Sequence, residues 1–390
     1  MASDAQEKKP EPGGERSPRQ ALKALAALAI VLLAAGIGGY IWAMPRRVTP
    51  RAVDWSSAAA PATDAVRVYW VGHSLMNHRD TTVPDAANLI EAVGELAESA
   101  SLSYTSFDHT VFGAPLSLNW TGAVHSYDRT EPDQAQKLKE LLERGENYDA
   151  LVLTEAIPVR NTARFEHSAY YAQQFYCAML RKNPEARIYL YESWPHLNAS
   201  DPDAGYPEAH RFDWTAQVQT DRADWERLAD EAMTGRVSAP SFLSRLFRRS
   251  ESGCEPGGPI LMVPVGTAMA ALRAAIEERP ADWFFADGRP LRFVHLFQNP
   301  LEGWPEHWPG SEDPDALSAI PLLHPDDPAD DIHPSEVGTY FAALVHFATL
   351  YRRNPRGAVH PISLSAETAR HLQDLAWDVV REDPRTGVSR

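Results

Sequence analysis

A serine, a histidine and an aspartate are the residues of this chain whose setting best suits chemistry. Ser74 follows an apolar, strand-like run that ends at Gly72, and Asp330 precedes His333 by three positions just before a long helical stretch. A serine hydroxyl becomes a nucleophile when an imidazole takes its proton and a carboxylate orients that imidazole. We therefore expect Ser74 to act as nucleophile, His333 as its general base and Asp330 as the orienting carboxylate.

Each of these residues also has a simpler interpretation. A serine after a strand often caps the next helix, and an acidic loop with one histidine is commonly just solvated. His324 is a rival base, but its acidic neighbours follow it in the chain. The Gly-x-Ser-x-Gly elbow of α/β-hydrolases is incomplete, because Met76 stands at the second glycine position and the serine follows the first strand.

Fourteen histidines raise the question of a metal site. Oxygen and nitrogen ligands gather near the C-terminus, at Asp326, Asp327, Asp330, Asp331 and His333. No histidine pair has the His-Glu-x-x-His spacing of a zinc protease helix. We predict solvated loop carboxylates here, with no metal and no cofactor.

Strand-like apolar runs alternate with amphipathic helical stretches, the pattern of an α/β protein with a parallel sheet. The predicted strands cover residues 67–72, 102–107, 150–155, 187–192 and 260–265. The predicted helices cover residues 86–99, 133–142, 166–180, 220–232, 267–278, 336–351 and 366–380. Residues 195–212 and 299–328 lack periodicity and are predicted to be long loops over the top of the sheet.

The N-terminal part of the chain differs in composition from the rest. Residues 1–20 are polar and predict a disordered tail, whereas residues 24–44 carry no charged side chain, enough to cross a hydrocarbon layer of about 30 Å. We predict a transmembrane helix over 21–45, in preference to a cleaved signal peptide, then a tether over 46–65 and one domain over 66–385. Basic residues flank the span almost equally on both sides, and we favour a single-pass protein whose domain lies in the periplasm.

Charge and cysteine content narrow the function further. The net charge of -16 repels nucleic acid phosphates, so nucleic acid is not an expected partner. The chain has two cysteines, Cys177 in a helical run and Cys254 in a Gly/Pro loop. A disulfide would suit an exported domain, but we favour one buried thiol and one loop thiol.

The residues around the serine and histidine resemble those of the SGNH or GDSL hydrolases. Gly72-His73-Ser74-Leu75 is similar to the Gly-Asp-Ser-Leu block of that family, and Asp330 and His333 match its Asp-x-x-His block before the last long helix. The resemblance covers roughly residues 66–351. It implies a flavodoxin-like three-layer α/β/α fold, with a central parallel sheet of about five strands, that cleaves esters.

The same resemblance implies an oxyanion hole. The backbone N–H groups of Ser74 and of Gly113, which follows the second strand, match two of its donors. The third family donor, an Asn after the third strand, has no counterpart, since this chain reads Thr154-Glu155 there. Asn77 and Thr154 are our candidates to replace it.

The aromatic loops suggest a substrate. Trp194 and His196 follow the fourth strand, and Trp304 and Trp308 lie in the second long loop, where flat rings could stack on sugars. The same rings could simply pack the loops. We expect hydrolysis of a small acyl ester, an acetyl group on an envelope polysaccharide, by a membrane-anchored enzyme. Transfer of the acyl group to a sugar, or a catalytically decayed carbohydrate-binding module on the same scaffold, remain alternatives.

Overall fold

The structure is a computed structural model that describes residues 55–80, 82–197, 213–233, 237, 254, 257–299 and 330–388. The predicted tail, the predicted transmembrane helix and most of the predicted tether lie outside these residues. Among the described residues, no helix combines the length and the apolar composition needed to cross a bilayer. The described residues belong to one compact unit, Val48–Arg390.

The centre of the unit is a parallel sheet of five strands in the order β2-β1-β3-β4-β5. The strands are β1 Ala65–Gly72, β2 Ser103–Thr110, β3 Ala150–Leu153, β4 Arg187–Tyr191 and β5 Ile260–Val263. All five were predicted from the sequence. Strand β2 runs three residues further than the apolar pattern indicated, because its polar end pairs with the full length of β1 up to Gly72.

Ten α-helices occur in the described parts of the chain. They are α1 Ser74–Asn77, α2 Leu89–Ser99, α3 Leu116–Thr121, α4 Gln134–Arg144, α5 Val159–Phe165, α6 Ser168–Lys182, α7 Trp214–Met233, α8 Val265–Glu278, α9 Glu336–Tyr351 and α10 Ala366–Glu382. Helix α7 begins six residues before the predicted start, because Trp214 and Val218 are anchored in the core. A short antiparallel pair, β6 Phe297–Asn299 and β7 Asp330–Pro334, lies outside the main sheet.

The helices cover both faces of the sheet. Alternate side chains of β1 divide between two cores, with Val68 and Trp70 in one and Tyr69 and Val71 in the other. Helices α2, α8, α9 and α10 pack in the first core and α4 and α6 in the second, while α7 contributes to both. The result is the predicted three-layer α/β/α arrangement, because a sheet with two apolar faces must be covered on both sides.

The strand order places a ligand-binding crevice at a defined point. Strand β2 lies on one side of β1 and β3 on the other, so the connections that leave β1 and β3 diverge at their carboxyl ends. In doubly wound sheets with this order, ligands bind at that switch point. The loop that carries Ser74 leaves β1 there.

The two cysteines form a disulfide between α6 and the segment before β5. The Cα atoms of Cys177 and Cys254 lie 5.4 Å apart, which corrects the expectation of two separate thiols. Close to this bond, the N–H of Gly257 donates to the hydroxyl of Tyr176, which also lies on α6. A separation of 77 residues in the sequence gave no sign of this proximity.

Candidate active site

The nucleophile candidate lies on a tight turn after β1. A Cβ atom at Gly72 would come 2.5 Å from the Thr154 methyl group, so only glycine fits at the end of this strand. The next residue, His73, caps α1 by accepting the N–H of Leu75 on its Nδ1 atom. This cap sets Ser74 as the first residue of α1 at the strand's carboxyl end.

Ser74, His333 and Asp330 form one hydrogen-bonded series. The Oγ atom of Ser74 lies 2.7 Å from Nε2 of His333, and Nδ1 of His333 lies 2.9 Å from Oδ2 of Asp330. The backbone N–H of His333 also donates to Asp330, at 2.9 Å. The Asp330 carboxylate therefore holds the imidazole so that its Nε2 atom faces the serine hydroxyl, the arrangement that activates a serine.

Asp330 and His73 differ in their electrostatics. Burial works against ionisation of Asp330, but hydrogen bonds from the side chain and backbone of His333 outweigh it and lower the pKa of the carboxyl. Burial lowers the pKa of His73 to about 4, so this ring is neutral near pH 7. Asp330 is thus kept as an anion beside the base, whereas His73 is a neutral structural group.

Strand β7 carries both Asp330 and His333, and buried polar side chains fix its position. The indole N–H of Trp194 donates to the carbonyl of Ile332 at 3.0 Å, and the amide of Gln298 donates to the carbonyl of Pro334 at 3.2 Å. Trp194 is fully buried. It cannot stack on a sugar, which corrects its predicted role as a substrate-binding residue and makes it a support for the triad strand.

His78 and Phe112 border the triad and were missed by the sequence analysis. The ring centroids of His78 and His333 lie 4.1 Å apart, and Phe112 lies 5.4 Å from His78 and 6.0 Å from His333. Phe112 is 50% exposed, so its ring is available to a ligand. Both residues adjoin predicted site residues in the chain, since His78 lies four positions after Ser74 and Phe112 precedes Gly113.

The tautomer of His78 follows from its partner. Its Nε2 atom lies 3.3 Å from the Oε1 atom of Gln298, whose amide nitrogen donates to the Arg79 and Pro334 carbonyls. Nε2 of His78 is therefore the protonated nitrogen. Burial first, and then the nearby His333, lower the pKa of His78. Because the His78 ring is neutral, it does not repel the positive charge that His333 gains when it takes a proton.

His78, Asp330 and His333 also lie close enough to hold a metal ion, with one ligand atom from each within 4.8 Å of the others. In the structure, however, both ring nitrogens of His333 are engaged, one by Ser74 and one by Asp330. A metal bound by these three groups would have to break that series. The arrangement fits proton transfer better than metal coordination.

The oxyanion-hole candidates differ in what their polar groups do. The backbone N–H groups of Ser74 and Gly113 have no hydrogen-bond acceptor among the described residues, and Gly113 has φ +60°, which favours glycine. The prediction that Thr154 is an oxyanion donor is wrong, because its buried hydroxyl donates to the Tyr191 carbonyl at 3.0 Å and is not free for a substrate. The Oδ1 atom of Asn77 is buried without a partner in the described part of the chain.

Three further residues were predicted to bind substrate: His196, Trp304 and Trp308. His196 is partly buried, beyond the end of β4. Trp304 and Trp308 lie outside the described residues, as do Asp326 and Asp327. Their predicted contacts with a sugar stay predictions.

Comparisons with known proteins find only distant similarity, to solved structures of low sequence identity. No family model matches the chain, and no curated protein matches it. Among solved structures, the chain is similar to a DUF4886 family protein from Bacteroides uniformis, with 13% identity over 81% of this chain and 95% of that one, at a TM-score of 0.42. It is also similar to an acetylxylan esterase from Geobacillus stearothermophilus, with 11% identity over 60% of this chain and 89% of that one, at a TM-score of 0.31. A candidate GDSL-like lipase from Parabacteroides merdae has 14% identity, covers 60% of this chain and 90% of its own, and gives a TM-score of 0.30. Similarity at this level does not establish a function.

Proposed function

We propose that this protein is a serine ester hydrolase of the SGNH type. One observation carries the proposal: the Ser74 hydroxyl lies 2.7 Å from Nε2 of His333, whose Nδ1 is bound by Asp330. Ser74 and His333 are 259 positions apart in the chain, so local chain geometry alone does not bring them together. The intact series counts against a catalytically decayed binding module.

The chemistry follows from the order of the hydrogen bonds. Oγ of Ser74 attacks the carbonyl carbon of the ester while its proton passes to Nε2 of His333, and Asp330 stabilises the resulting cation. The carbonyl oxygen gains negative charge and is stabilised by backbone N–H donors. When the C–O bond breaks, His333 returns the proton to the leaving alcohol. Water then attacks the acyl-enzyme with help from the same histidine, which releases the acid and the free serine.

We further propose a small acyl group, an acetyl group on an envelope polysaccharide, as the substrate. The rings of His78 and Phe112 border Ser74's base, and such flat faces suit sugar rings. In the described parts of the chain, the large exposed apolar side chains come from five separate segments and give no sign of a continuous apolar surface for a long acyl chain: Phe112, Tyr127, Leu142, Phe165, Val359 and Ile362. A sugar hydroxyl in place of water would make the same triad an acyltransferase.

The proposed location is a membrane with the domain outside the cytoplasm. Two observations support it: the uncharged run over residues 24–44 and the disulfide between Cys177 and Cys254. Disulfides persist in oxidising compartments and are rare in the cytosol.

Serine labelling and ester cleavage test the function. The full-length chain in mild detergent is treated with a fluorophosphonate probe, and Ser74→Ala is the matched control. We expect labelling of the wild type only, and faster cleavage of acetyl than of octanoyl or palmitoyl aryl esters. Acetate release from O-acetylated polysaccharide is then measured. Equal labelling of both proteins would refute the nucleophile, and preference for the palmitoyl ester without acetate release would refute the substrate.

A further inference from the structure

The buried carboxyl of Glu155 has no part in the proton transfers described above. It lies two residues beyond the end of β3, and the residue is fully buried. Burying a carboxyl costs free energy unless hydrogen bonds compensate for the lost hydration.

The backbone of Glu155 reaches the turn that carries Ser74. Its carbonyl lies 3.1 Å from Nε2 of His73. Since Nδ1 of His73 accepts the N–H of Leu75, the proton of the ring is on Nε2 and is donated to this carbonyl. His73 immediately precedes the serine, so the contact fixes the orientation of the turn.

The side chain of Glu155 reaches the loop that carries Gly113. Its Oε1 atom accepts the N–H of Leu116 at 3.1 Å and the N–H of Ala156 at 2.7 Å. Leu116 is the first residue of α3, three positions after Gly113. The carboxyl therefore anchors the start of this helix and, with it, the loop before it.

A second contact closes the same arrangement. On α3, the amide nitrogen of the buried Asn119 donates to the carbonyl of Gly72 at 3.0 Å. Helix α3 is thus tied to the end of β1 by Asn119 and to the end of β3 by Glu155. The turn of Ser74 and the loop of Gly113 are held by the same short network.

We propose that Glu155 is a positioning residue that fixes the two turns carrying the oxyanion-hole N–H groups of Ser74 and Gly113. This rests on the proposed function. Glu155 does not act as a substitute donor, because its Oε2 atom is buried away from solvent. Its effect on substrate passes through the backbone it holds, and a misplaced donor stabilises the transition state poorly.

Three substitutions at Glu155 separate positioning from bulk and charge. Glu155→Gln keeps an oxygen where Oε1 lies, Glu155→Asp keeps the charge but withdraws the oxygens, and Glu155→Ala removes them. The assay is hydrolysis of p-nitrophenyl acetate by the full-length protein in detergent. We expect kcat close to wild type for the Gln variant, and a fall of about 10²–10³-fold in kcat for the Asp and Ala variants with little change in KM, the loss typical of an impaired oxyanion hole.

Glu192→Ala is the matched control. Glu192 follows β4 as a buried carboxyl, but its partners are Arg222 and Thr267 instead of the two turns. We expect this variant to unfold at a lower temperature and to keep its kcat. A loss of kcat equal to that of Glu155→Ala would overturn the proposal, because it would show a general effect of losing a buried carboxyl.

The remaining outcomes are also decisive. Wild-type kcat in Glu155→Asp would overturn the positioning role, and so would a Gln variant as impaired as the Asp variant. If Glu155→Ala fails to fold, the contrast between Asp and Gln decides alone. A wild type that equals Ser74→Ala in rate would refute the proposed function itself, whereas an active wild type with an inactive Ser74→Ala confines any failure to the role of Glu155.

Discussion

At the scale of single residues, environment separates groups of the same chemical type. His333 is held by Asp330 and faces a serine, while His73 is buried and hydrogen-bonded to backbone. The carboxyls differ as well, since the pKa of Asp330 is lowered and that of Glu155 is raised to about 7 by burial. Residue type therefore assigns no role until the neighbours are known.

Asp330→Asn tests the orienting carboxylate. The amide can keep the shape of the site but donates where the carboxylate accepts, so it favours the wrong tautomer of His333. We expect kcat to fall by up to about 10⁴-fold, with measurable residual hydrolysis of an aryl acetate. Ser74→Ala and His333→Ala should remove activity altogether. Asp149→Asn, which alters a surface pair with Arg67, is the control and should keep its rate.

At the scale of elements, the site depends on β7 being placed beside α1. The indole of Trp194 and the amide of Gln298 hold the carbonyls of β7, and Ser335 caps α9 directly after it. Side chains buried in the core thus define where two catalytic candidates lie. Support of this kind is absent from the sequence pattern, because it joins segments far apart in the chain.

Trp194→Phe tests this support. Phenylalanine keeps most of the ring but leaves the Ile332 carbonyl without its donor, at a cost of about 1–3 kcal/mol in the free energy of unfolding. We expect kcat to fall as well, because β7 loses its restraint. Trp283→Phe removes a comparable indole bond to Ala275, away from β7, and should lower stability alone. Equal kcat in the two variants would contradict the role of Trp194.

The disulfide is a second test at this scale. The double variant Cys177→Ser with Cys254→Ser should lose about 2–4 kcal/mol in the free energy of unfolding, because the unfolded chain is less restricted without the bond. Urea unfolding followed by tryptophan fluorescence measures this. We expect folded variant and wild type to cleave aryl acetate at similar rates. An unchanged urea midpoint for the wild type after reduction with dithiothreitol would count against the bond.

At the scale of the whole molecule, buried carboxyls make stability depend on pH. Burial raises the pKa of Glu155 to about 7, above the ordinary value of 4.5, and Glu166 nearby adds to the shift, while the His73 ring on its carbonyl is neutral. Because folding raises the pKa of Glu155, its protonated carboxyl contributes to the free energy of unfolding. This contribution is complete below pH 4.5 and is lost as pH rises through about 7.

Glu155→Gln isolates that contribution. The stability of the wild type relative to this variant should decrease between pH 5 and pH 8, by on the order of 3 kcal/mol at most, since one pKa unit corresponds to about 1.4 kcal/mol. Thermal or urea unfolding at several pH values gives the difference directly. Glu192, whose pKa burial also raises to about 7, is unchanged in both proteins and cancels in the comparison. A difference that grows with pH would contradict the sign.

The predicted anchor is also a property of the whole molecule. Residues 24–44 are uncharged, so the full-length protein should stay in the membrane during washes with high salt or alkaline carbonate and should require detergent for release. A variant that begins at residue 48 is the control and should appear in the soluble fraction. Release of the full-length chain by carbonate alone would rule out an integral anchor.

The fold class, the five strands and the residues of the candidate triad could all be predicted from the amino-acid sequence. Periodic apolar runs are local, so they can be read without knowing the fold. Ser74 and the pair Asp330 and His333 stood in short blocks whose residue types and order already implied a shared site. The absence of an Asn after the third strand could also be read from the sequence, which has Thr154-Glu155 there.

Which side chains are free to act depends on contacts between distant segments, and these could not be predicted. Trp194 and Thr154 were reasonable site residues by position, but burial and a hydrogen bond commit both to the protein itself. His78 lies against His333, and Cys177 is bonded to Cys254, because packing brings together residues whose spacing in the sequence does not predict contact. The type of a side chain fixes what it can do chemically, whereas burial and the direction of each hydrogen bond, both set by distant segments, fix what it does.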